Sequence, residues 1–552
     1  MKEYESVYSG FVYSDPKTNW SSDEEVRKSL VFASFPEGKP IPSGGMPIIS
    51  DGKNAYIDTS DSHYMIYGAS GFKKSICAFM PLICILASAS ENMIVTDPKG
   101  ELYRRTANFL KKKGYKVKVL NFRDYNGEGY NPLAYPTKLY KAGEIDKAAT
   151  VSANLVAALA QRQTESSKTD PFWPETAKAF NNGILPFMYS SYPDSDAVNF
   201  ISLADYYTNR TASNLQEHIC QGFGVTNAAI QNLRTVLSEP DKTLMSTLAT
   251  CSSFIQPFIQ NDKLARMLSR STFELEELSK EKTALYIITD DSSAICDPIV
   301  GILISQIQNL LIDKAYHSKG GKLKIRVNFL LDEFCSFPVP DICTALATHR
   351  SRNIRYFLCV QSIDLLEKRY PNYKNMITNC AASLFLGSTE MELLNMISTR
   401  CGTTEITQSN HEEPLISVPE LMTLKKDWYS KEAIYLNLAT GIRYCTTLPS
   451  IEKYKAFCSC GEAVLPDINH PSVHFYSFID LMRDISDGKA NKPFFPNKES
   501  HAEVPTDRKR TTRRNKKDKS DDSISDRERM RRLEIRFDEL FGTLDDENEE
   551  DN

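Results

Sequence analysis

No stretch of this sequence is apolar for long enough to cross a bilayer as a helix. The longest apolar run, Ile76 to Ala89, falls short of the roughly 20 residues that a spanning helix needs. The first ten residues lack a basic patch followed by an apolar one, so no signal peptide is expected. Charge of one sign is missing too: 66 basic residues against 71 acidic ones leave a net charge of −5. Bulk electrostatics therefore impose no nucleic-acid partner, and a DNA-binding surface has to be a local patch or a ring built by assembly. The 13 cysteines are an odd number and sit mostly inside apolar runs, as at Cys77, Cys84, Cys335, Cys359 and Cys380. Buried, reduced thiols look like this, which excludes a disulfide scaffold and favours the cytoplasm. There is no internal repeat. No nucleophile elbow occurs either, so nothing supports a Ser/His/Asp or Cys/His hydrolase.

What is present is an ordinary globular mixture, 41% apolar and 25% charged, with length for roughly two to four domains. Residues 1–60 are polar and rich in turns. Strands and helices then alternate. Tyr64–Tyr67 reads as a short buried strand, leading through Gly68-Ala69-Ser70-Gly71 into the helical run Ile76–Ala89. Met93–Thr96 is a second strand, closed by Asp97-Pro98-Lys99-Gly100. A helix through Leu110 and a strand over Val117–Leu120 follow. Between about 140 and 270 the strand signal fades and apolar residues recur at helical spacing. The alternation returns with Ala284–Thr289, a helix opening at Asp297-Pro298, and strands over Lys324–Leu331, Ile354–Val360, Ser383–Gly387 and Ala433–Leu438. The expected class is α/β, with a parallel-rich central sheet over 61–140 and 270–450 interrupted by an all-α domain at 141–269. Near-continuous apolar strands fit a sheet covered on both faces. A C-terminal extension (451–500) precedes a charged tail (501–552). That tail holds the basic run Arg508–Lys519, one amphipathic helix over Met530–Leu544 and an acidic end. The basic run reads as a solvated tail, and the helix as a docking element for a partner or for the protein's own body.

Three segments carry the chemistry. Gly68-Ala69-Ser70-Gly71-Phe72-Lys73-Lys74-Ser75 lies between a strand and a helix, where backbone amides and a helix N-terminus can face phosphate oxygens. Lys74 would then reach the β/γ-phosphates and the Ser75 hydroxyl would bind Mg²⁺. Lys73 stands where the usual loop has glycine, and a side chain there crowds the phosphate. The plain alternative is a structural strand-to-helix turn. Leu330-Leu331-Asp332-Glu333 ends an apolar strand with two carboxylates. Asp332 could hold Mg²⁺ and Glu333 polarise an attacking water, whereas the bland reading is a strand end with solvated acids. Gln361 ends the next strand, where its amide could sense a γ-phosphate. Arg350 and Arg352 precede that strand, either as a solvated basic turn or as a source of an arginine finger for a neighbouring subunit.

Taken in order, these segments resemble the coupling ATPases of conjugative type IV secretion systems, the TraG/TraD type, which are relatives of the FtsK and RecA-like motors. The phosphate loop carries the resemblance together with Val95-Thr96-Asp97-Pro98-Lys99-Gly100-Glu101-Leu102, Tyr130-Asn131-Pro132-Leu133 and Asp170-Pro171-Phe172-Trp173. So do Leu331-Asp332-Glu333-Phe334, His349-Arg350-Ser351-Arg352-Asn353, Val360-Gln361-Ser362, Asn379-Cys380 and Leu384-Phe385-Leu386-Gly387-Ser388. The resemblance implies a RecA-like P-loop domain interrupted by an all-α domain that recognises a relaxase–DNA complex or a secreted protein. It also implies a ring, usually a hexamer, with ATP and Mg²⁺ at subunit interfaces and single- or double-stranded DNA in the channel. By motif match Gly68, Ser70, Gly71, Lys74 and Ser75 bind nucleotide, Ser75 and Asp332 bind Mg²⁺, and Glu333, Gln361 and Arg350 act in catalysis, Arg350 in trans. Typical members carry N-terminal transmembrane helices. None is read here, so the expected protein is cytoplasmic, with a separate membrane anchor at the channel or no tether. Lys73 supports a second reading, a coupling adaptor that binds cargo and channel components but hydrolyses ATP poorly or not at all.

Two further signals stay open. Cys458, Cys460, His470 and His474 form a C-x-C and H-x₃-H array, but the cysteine spacing is tighter than zinc sites use and Pro471 breaks the histidine pair. Asp97 to Glu101 fit either a place beside the nucleotide or a structural turn. His349 reads as a surface turn residue.

Overall fold

The computed structural model describes residues 19–35, 41–166, 170–192, 194–208, 228–405 and 412–487. The chain divides into two compact units, Met1–Phe495 and Pro496–Asn552. The second, with Arg508–Lys519 and the expected helix Met530–Leu544, lies outside the described residues.

In chain order the strands are β1 (Val31–Ser34), β2 (Met46–Ser50), β3 (Asn54–Asp58), β4 (Tyr64–Gly68), β5 (Asn92–Thr96), β6 (Lys116–Asn121), β7 (Asn126–Gly127) and β8 (Thr283–Ile288). They continue with β9 (Val327–Leu331), β10 (Ile354–Val360), β11 (Ala382–Gly387), β12 (Thr403–Glu405), β13 (Glu412–Pro414), β14 (Ser430–Asn437) and β15 (Ile442–Pro449). Ten of them form one sheet in the order β15-β14-β11-β4-β10-β9-β5-β8-β6-β7. The stretch from β11 to β6 is parallel throughout. Antiparallel pairs extend it at both edges. Every residue of β4, β5, β8, β9, β10 and β11 is buried, which is why these strands read as unbroken apolar runs.

Register brings four strand ends to one edge. Tyr67 lies opposite Val360, Leu358 opposite Leu331, and Leu331 opposite Thr96. Gly68 ends β4, and Gln361, Asp332 and Asp97 directly follow β10, β9 and β5, so all four lie at this edge. Clefts for ligands form at this carboxyl edge in open parallel sheets.

Between β7 and β8 the described residues hold helices and no strand, among them Ile145–Ser166, Phe172–Ser191 and Asp241–Ile259. Asp170 caps the second of these, its carboxylate accepting from the Phe172 amide at 3.0 Å. This block and one face of the sheet share a hydrophobic core. The Tyr130-Asn131-Pro132 segment knits them together. The Tyr130 hydroxyl donates to Gln306 Oε1 at 2.9 Å, Gln306 Nε2 donates to the Pro132 carbonyl at 2.8 Å, and Asn131 Nδ2 donates to the Val198 carbonyl at 2.8 Å.

Three expectations need correction. The polar stretch before residue 60 contains a three-stranded antiparallel sheet, β1-β3-β2, with Met46, Ile48, Ala55 and Ile57 buried; its strands are short and interrupted by turn residues, so periodicity was weak. Strand β15 also escaped, because only some of its positions are buried. The third concerns apolar length. The stretch Ala294–Tyr316 is long and apolar enough to cross a membrane by composition, but 78% of its apolar 18-residue window is buried inside the protein. Buried Gln306 and Gln308 interrupt its apolar run without exposing it, and it is a core helix.

Candidate functional site

The loop after β4 lines a cleft with the ends of β5 and β9. Ser70, Gly71, Lys74, Ser75, Asp332 and Glu333 all border it, so two segments 250-odd residues apart in sequence meet as expected. Gly68, the last residue of β4, opens the loop. At Gly71 the backbone has φ 82° and nothing lies within 4 Å of the space a Cβ would take, so the loop's amides stay open on that side. The loop is fixed to the sheet at its base, where the Ala69 amide donates to the Gly387 carbonyl at 3.0 Å. The helix beyond starts as a wide turn, Lys74–Phe79, before it settles into the α-helix Met80–Ser88.

Lys73 does reach the left-handed geometry that the loop requires, with φ 61° and ψ 27°. Its side chain does not stay over the cradle: the ammonium donates to the Asp427 carbonyl, in the loop before β14. That loop is itself packed on the phosphate loop, with the Lys426 and Lys431 ammonium groups 5.4 and 5.8 Å from the centre of the Phe72 ring. Lys431 is buried and donates to the Leu424 carbonyl at 3.0 Å; burial pulls its pKa down to about 8. The Lys74 ammonium is buried in the cleft wall and, among the described residues, makes only a long bond, 3.3 Å, to the Ala69 carbonyl. It is available to an anion.

On the facing wall Asp332 is buried. Its backbone carbonyl accepts from the Thr96 hydroxyl at 2.8 Å, and its carboxylate accepts from the Glu333 amide at 3.0 Å. Burial raises its pKa, and the Lys74 ammonium works against that rise. Glu333 sits at φ 50° in the left-handed region. Burial, then the neighbouring Asp332 charge, raises its pKa, the direction a group needs to take up a proton near neutrality. Gln361 joins the site through this residue, its Nε2 donating to Glu333 Oε1 at 3.2 Å.

This donor set suits a polyphosphate with a hard cation. Among the described residues no three His, Cys, Asp or Glu side chains are placed to hold a metal. Any ion at Ser75 and Asp332 must complete its shell with phosphate oxygens and water, as Mg²⁺ does. The same result applies to the C-x-C and H-x₃-H residues, which do not converge: Cys458 Sγ lies 3.1 Å from the Ile451 carbonyl and His474 Nε2 3.3 Å from Asp194.

Arg350 stands apart. It precedes β10, at the opposite end of a seven-residue strand and so about 20 Å from the cleft. Its guanidinium is more than half exposed and only 3.9 Å from Asp61. It does not border the cleft of its own chain, which fits either a solvated basic turn or a contact made to a neighbouring subunit. His349 beside it is not a surface residue. It is buried with a ring nitrogen 2.7 Å from the Tyr356 hydroxyl, and burial pulls its pKa down to about 4.

Sequence reasoning left Asp97 to Glu101 undecided, and the structure shows a turn that borders the cleft. Asp97, Lys99 and Glu101 border the cleft. The Asp97 carboxylate also accepts from the Tyr103 amide at 2.8 Å and so caps the next helix. Burial raises its pKa to about 6. Thr96, which ties β5 to Asp332, was named in the sequence but given no role, as a threonine ending an apolar strand carries no signal of one.

An open parallel sheet with a glycine-containing loop, a facing acidic pair and a polar residue between them is the architecture of a RecA-like α/β fold with a P-loop-type cleft. The family model described as "Type IV secretory system Conjugative DNA transfer" matches residues 17–430, and the chain belongs to that family. It is 26% identical over 382 residues to the conjugal transfer protein TraG of Escherichia coli, a match covering 64% of this chain and 58% of the relative's length. Among solved structures it resembles the bacterial conjugative coupling protein TrwBdeltaN70, with a TM-score of 0.55 and 14% identity over 83% of this chain and 96% of that one. TrwB in complex with ADP and Mg²⁺ gives a TM-score of 0.53 at 15% identity with the same coverage.

Proposed function

We propose that this protein is a coupling ATPase of conjugative DNA transfer. It binds ATP with Mg²⁺ in the cleft described above and uses hydrolysis to bring a relaxase–DNA complex or a protein cargo to a type IV channel. The observation that carries this reading is the meeting of Lys74 and Ser75 with Asp332, Glu333 and Gln361 in one cleft. Backbone amides and Lys74 would hold the phosphates, and Ser75 with Asp332 would share the cation. Bound Mg²⁺ supplies charge stabilisation at the phosphates. Glu333, its proton affinity raised by burial and its carboxylate held by Gln361, would orient the attacking water and accept its proton.

The position of Arg350, remote from its own cleft and exposed, supports a head-to-tail ring, with six copies the expected number and DNA in the channel. The helical block over 141–269 is the proposed cargo-recognition domain, inserted in the nucleotide-binding domain of 61–140 and 270–450. Placement at the inner face of the membrane would come through a separate anchor protein.

One observation favours a second reading. Lys73 keeps a non-glycine residue in a strained geometry, at φ 61°, and ties the loop to Asp427. An adaptor that holds nucleotide without turning it over would tolerate that. ATP turnover of the full chain with and without DNA, compared with Glu333→Gln, separates the two. DNA-stimulated turnover that falls at least about a hundredfold in the variant is expected. No turnover in the native chain, with cargo binding intact, establishes the adaptor instead.

A further inference from the structure

The turn Asp97-Pro98-Lys99-Gly100 has a structural task for its first residue and none for its third. Lys99 is exposed and borders the cleft. Among the described residues its ammonium makes no hydrogen bond and no ion pair. An unpartnered cation beside two buried or half-buried carboxylates is placed to meet an anion that is not part of the protein.

Sheet order says which part of the anion. The phosphate loop follows β4 and the Lys99 turn follows β5, three strands away in the order β4-β10-β9-β5. At about 4.8 Å per strand the two cations approach from walls roughly 14 Å apart. Lys74 reaches from the loop side. Lys99 reaches from the side of Asp332 and Glu333, and its charge acts on both of them. A phosphate chain cradled by the loop points its terminal group toward those carboxylates, where the attacking water must also sit.

The turn is rigid enough to hold such a contact. The Gly100 amide donates to the Asp97 carbonyl at 3.2 Å, the Asp97 carboxylate caps the helix through Tyr103, and Thr96 ties the end of β5 to the backbone of Asp332. A lysine on this turn stays aligned with the acidic wall.

We infer that Lys99 is a second phosphate-binding cation, supplied in cis, which contacts the terminal phosphate of a bound nucleoside triphosphate and so distinguishes ATP from ADP. The inference rests on the nucleotide-binding reading above, and the test separates the two. Full-length protein is titrated with fluorescent ATP and ADP analogues in the presence of Mg²⁺, as wild type, Lys99→Met, Lys99→Arg and Lys74→Ala. The side chain is exposed, so unfolding temperatures of the Lys99 variants should match wild type. Loss of one charge-assisted contact predicts ATP binding about tenfold weaker in Lys99→Met, with ADP binding changed by less than about twofold and Lys99→Arg close to wild type. Lys74→Ala should weaken both nucleotides. Equal losses for ATP and ADP in Lys99→Met, or no loss for ATP, overturn the role of Lys99 and leave the cleft intact. A wild-type protein that binds neither nucleotide, or a Lys74→Ala variant that binds both normally, overturns the nucleotide site and Lys99 with it.

Discussion

Replacing Lys73 by glycine tests whether the unusual loop is a defect. The native residue holds φ 61° and ψ 27°, which costs an L-residue about 1–2 kcal/mol. Glycine removes that strain but gives the unfolded chain more freedom, about 0.4–1 kcal/mol. It also removes the bond from the Lys73 ammonium to the Asp427 carbonyl, a solvent-exposed contact contributing about 0.5–1.5 kcal/mol. The three effects nearly cancel, so the change in stability should stay within about 1 kcal/mol, and the unfolding temperature within a few degrees. Binding is different, because strain present in both free and bound states cannot change affinity. What can change it is the tether to Asp427, which resists any rearrangement of the loop around a phosphate. If closing on ATP breaks that bond, removing it in advance should tighten binding about three- to tenfold. Calorimetric titration with ATP and Mg²⁺ reads this directly, and steady-state turnover should rise with it. Lys73→Ala separates the two causes: it frees the tether but keeps the left-handed strain, so it should gain affinity while losing about 1 kcal/mol of stability. Unchanged or weaker ATP binding in Lys73→Gly, with the fold intact, would refute the reasoning and mark Lys73 as a contributor to phosphate binding.

Other outcomes follow from the same geometry. Gly387→Ala would place a Cβ 2.2 Å from the Phe72 ring at a backbone φ of 139°; a loss of about 1–3 kcal/mol is expected on chemical unfolding, with weaker nucleotide binding because the phosphate loop is bonded to that residue. Asp97 is held in the fold at a pKa of about 6 against an ordinary 3.8. The folded state therefore binds the proton more tightly, so stability falls as pH rises from about 4 to 6, by about 3 kcal/mol at most. Asp97→Asn should flatten that part of the stability–pH curve, and an unchanged curve would show that Asp97 ionises normally. Arg350→Ala should lower turnover of the assembled protein by about a thousandfold with nucleotide affinity unchanged. Mixing it with Lys74→Ala should restore part of the activity, at interfaces where an intact arginine meets an intact loop; no recovery would exclude action in trans.

Much of the site was legible before any coordinates. The strands that carry it are buried on both faces, so Tyr64–Tyr67, Met93–Thr96 and Ile354–Val360 stand out as apolar runs, and each ends in residues that no core would keep. The parts that stayed hidden have weak local signals. Strands β1, β2 and β3 are short and sit among turn residues. Helix Asp297–Tyr316 hides its length behind two buried glutamines, Gln306, hydrogen-bonded to Tyr130 and Pro132, and Gln308. His349 looked like a surface residue because its neighbours are charged, yet the Tyr356 hydroxyl gives it a buried partner.

The amino-acid order by itself determined which residues could bind phosphate, hold a cation and activate water, since those abilities belong to side chains and to short loops. It also determined the alternation of strands and helices, through periodicity. Only the tertiary structure decided which of these residues share a cleft. Strand register brings Gly68, Asp97, Asp332 and Gln361 to one edge and sends Arg350 to the other. Whether Lys73 crowds the phosphate loop was likewise a tertiary matter, because the carbonyl that draws its ammonium aside belongs to Asp427, more than 350 residues along the chain. Contacts of that kind have no local signature, since they arise only when distant segments pack on one sheet.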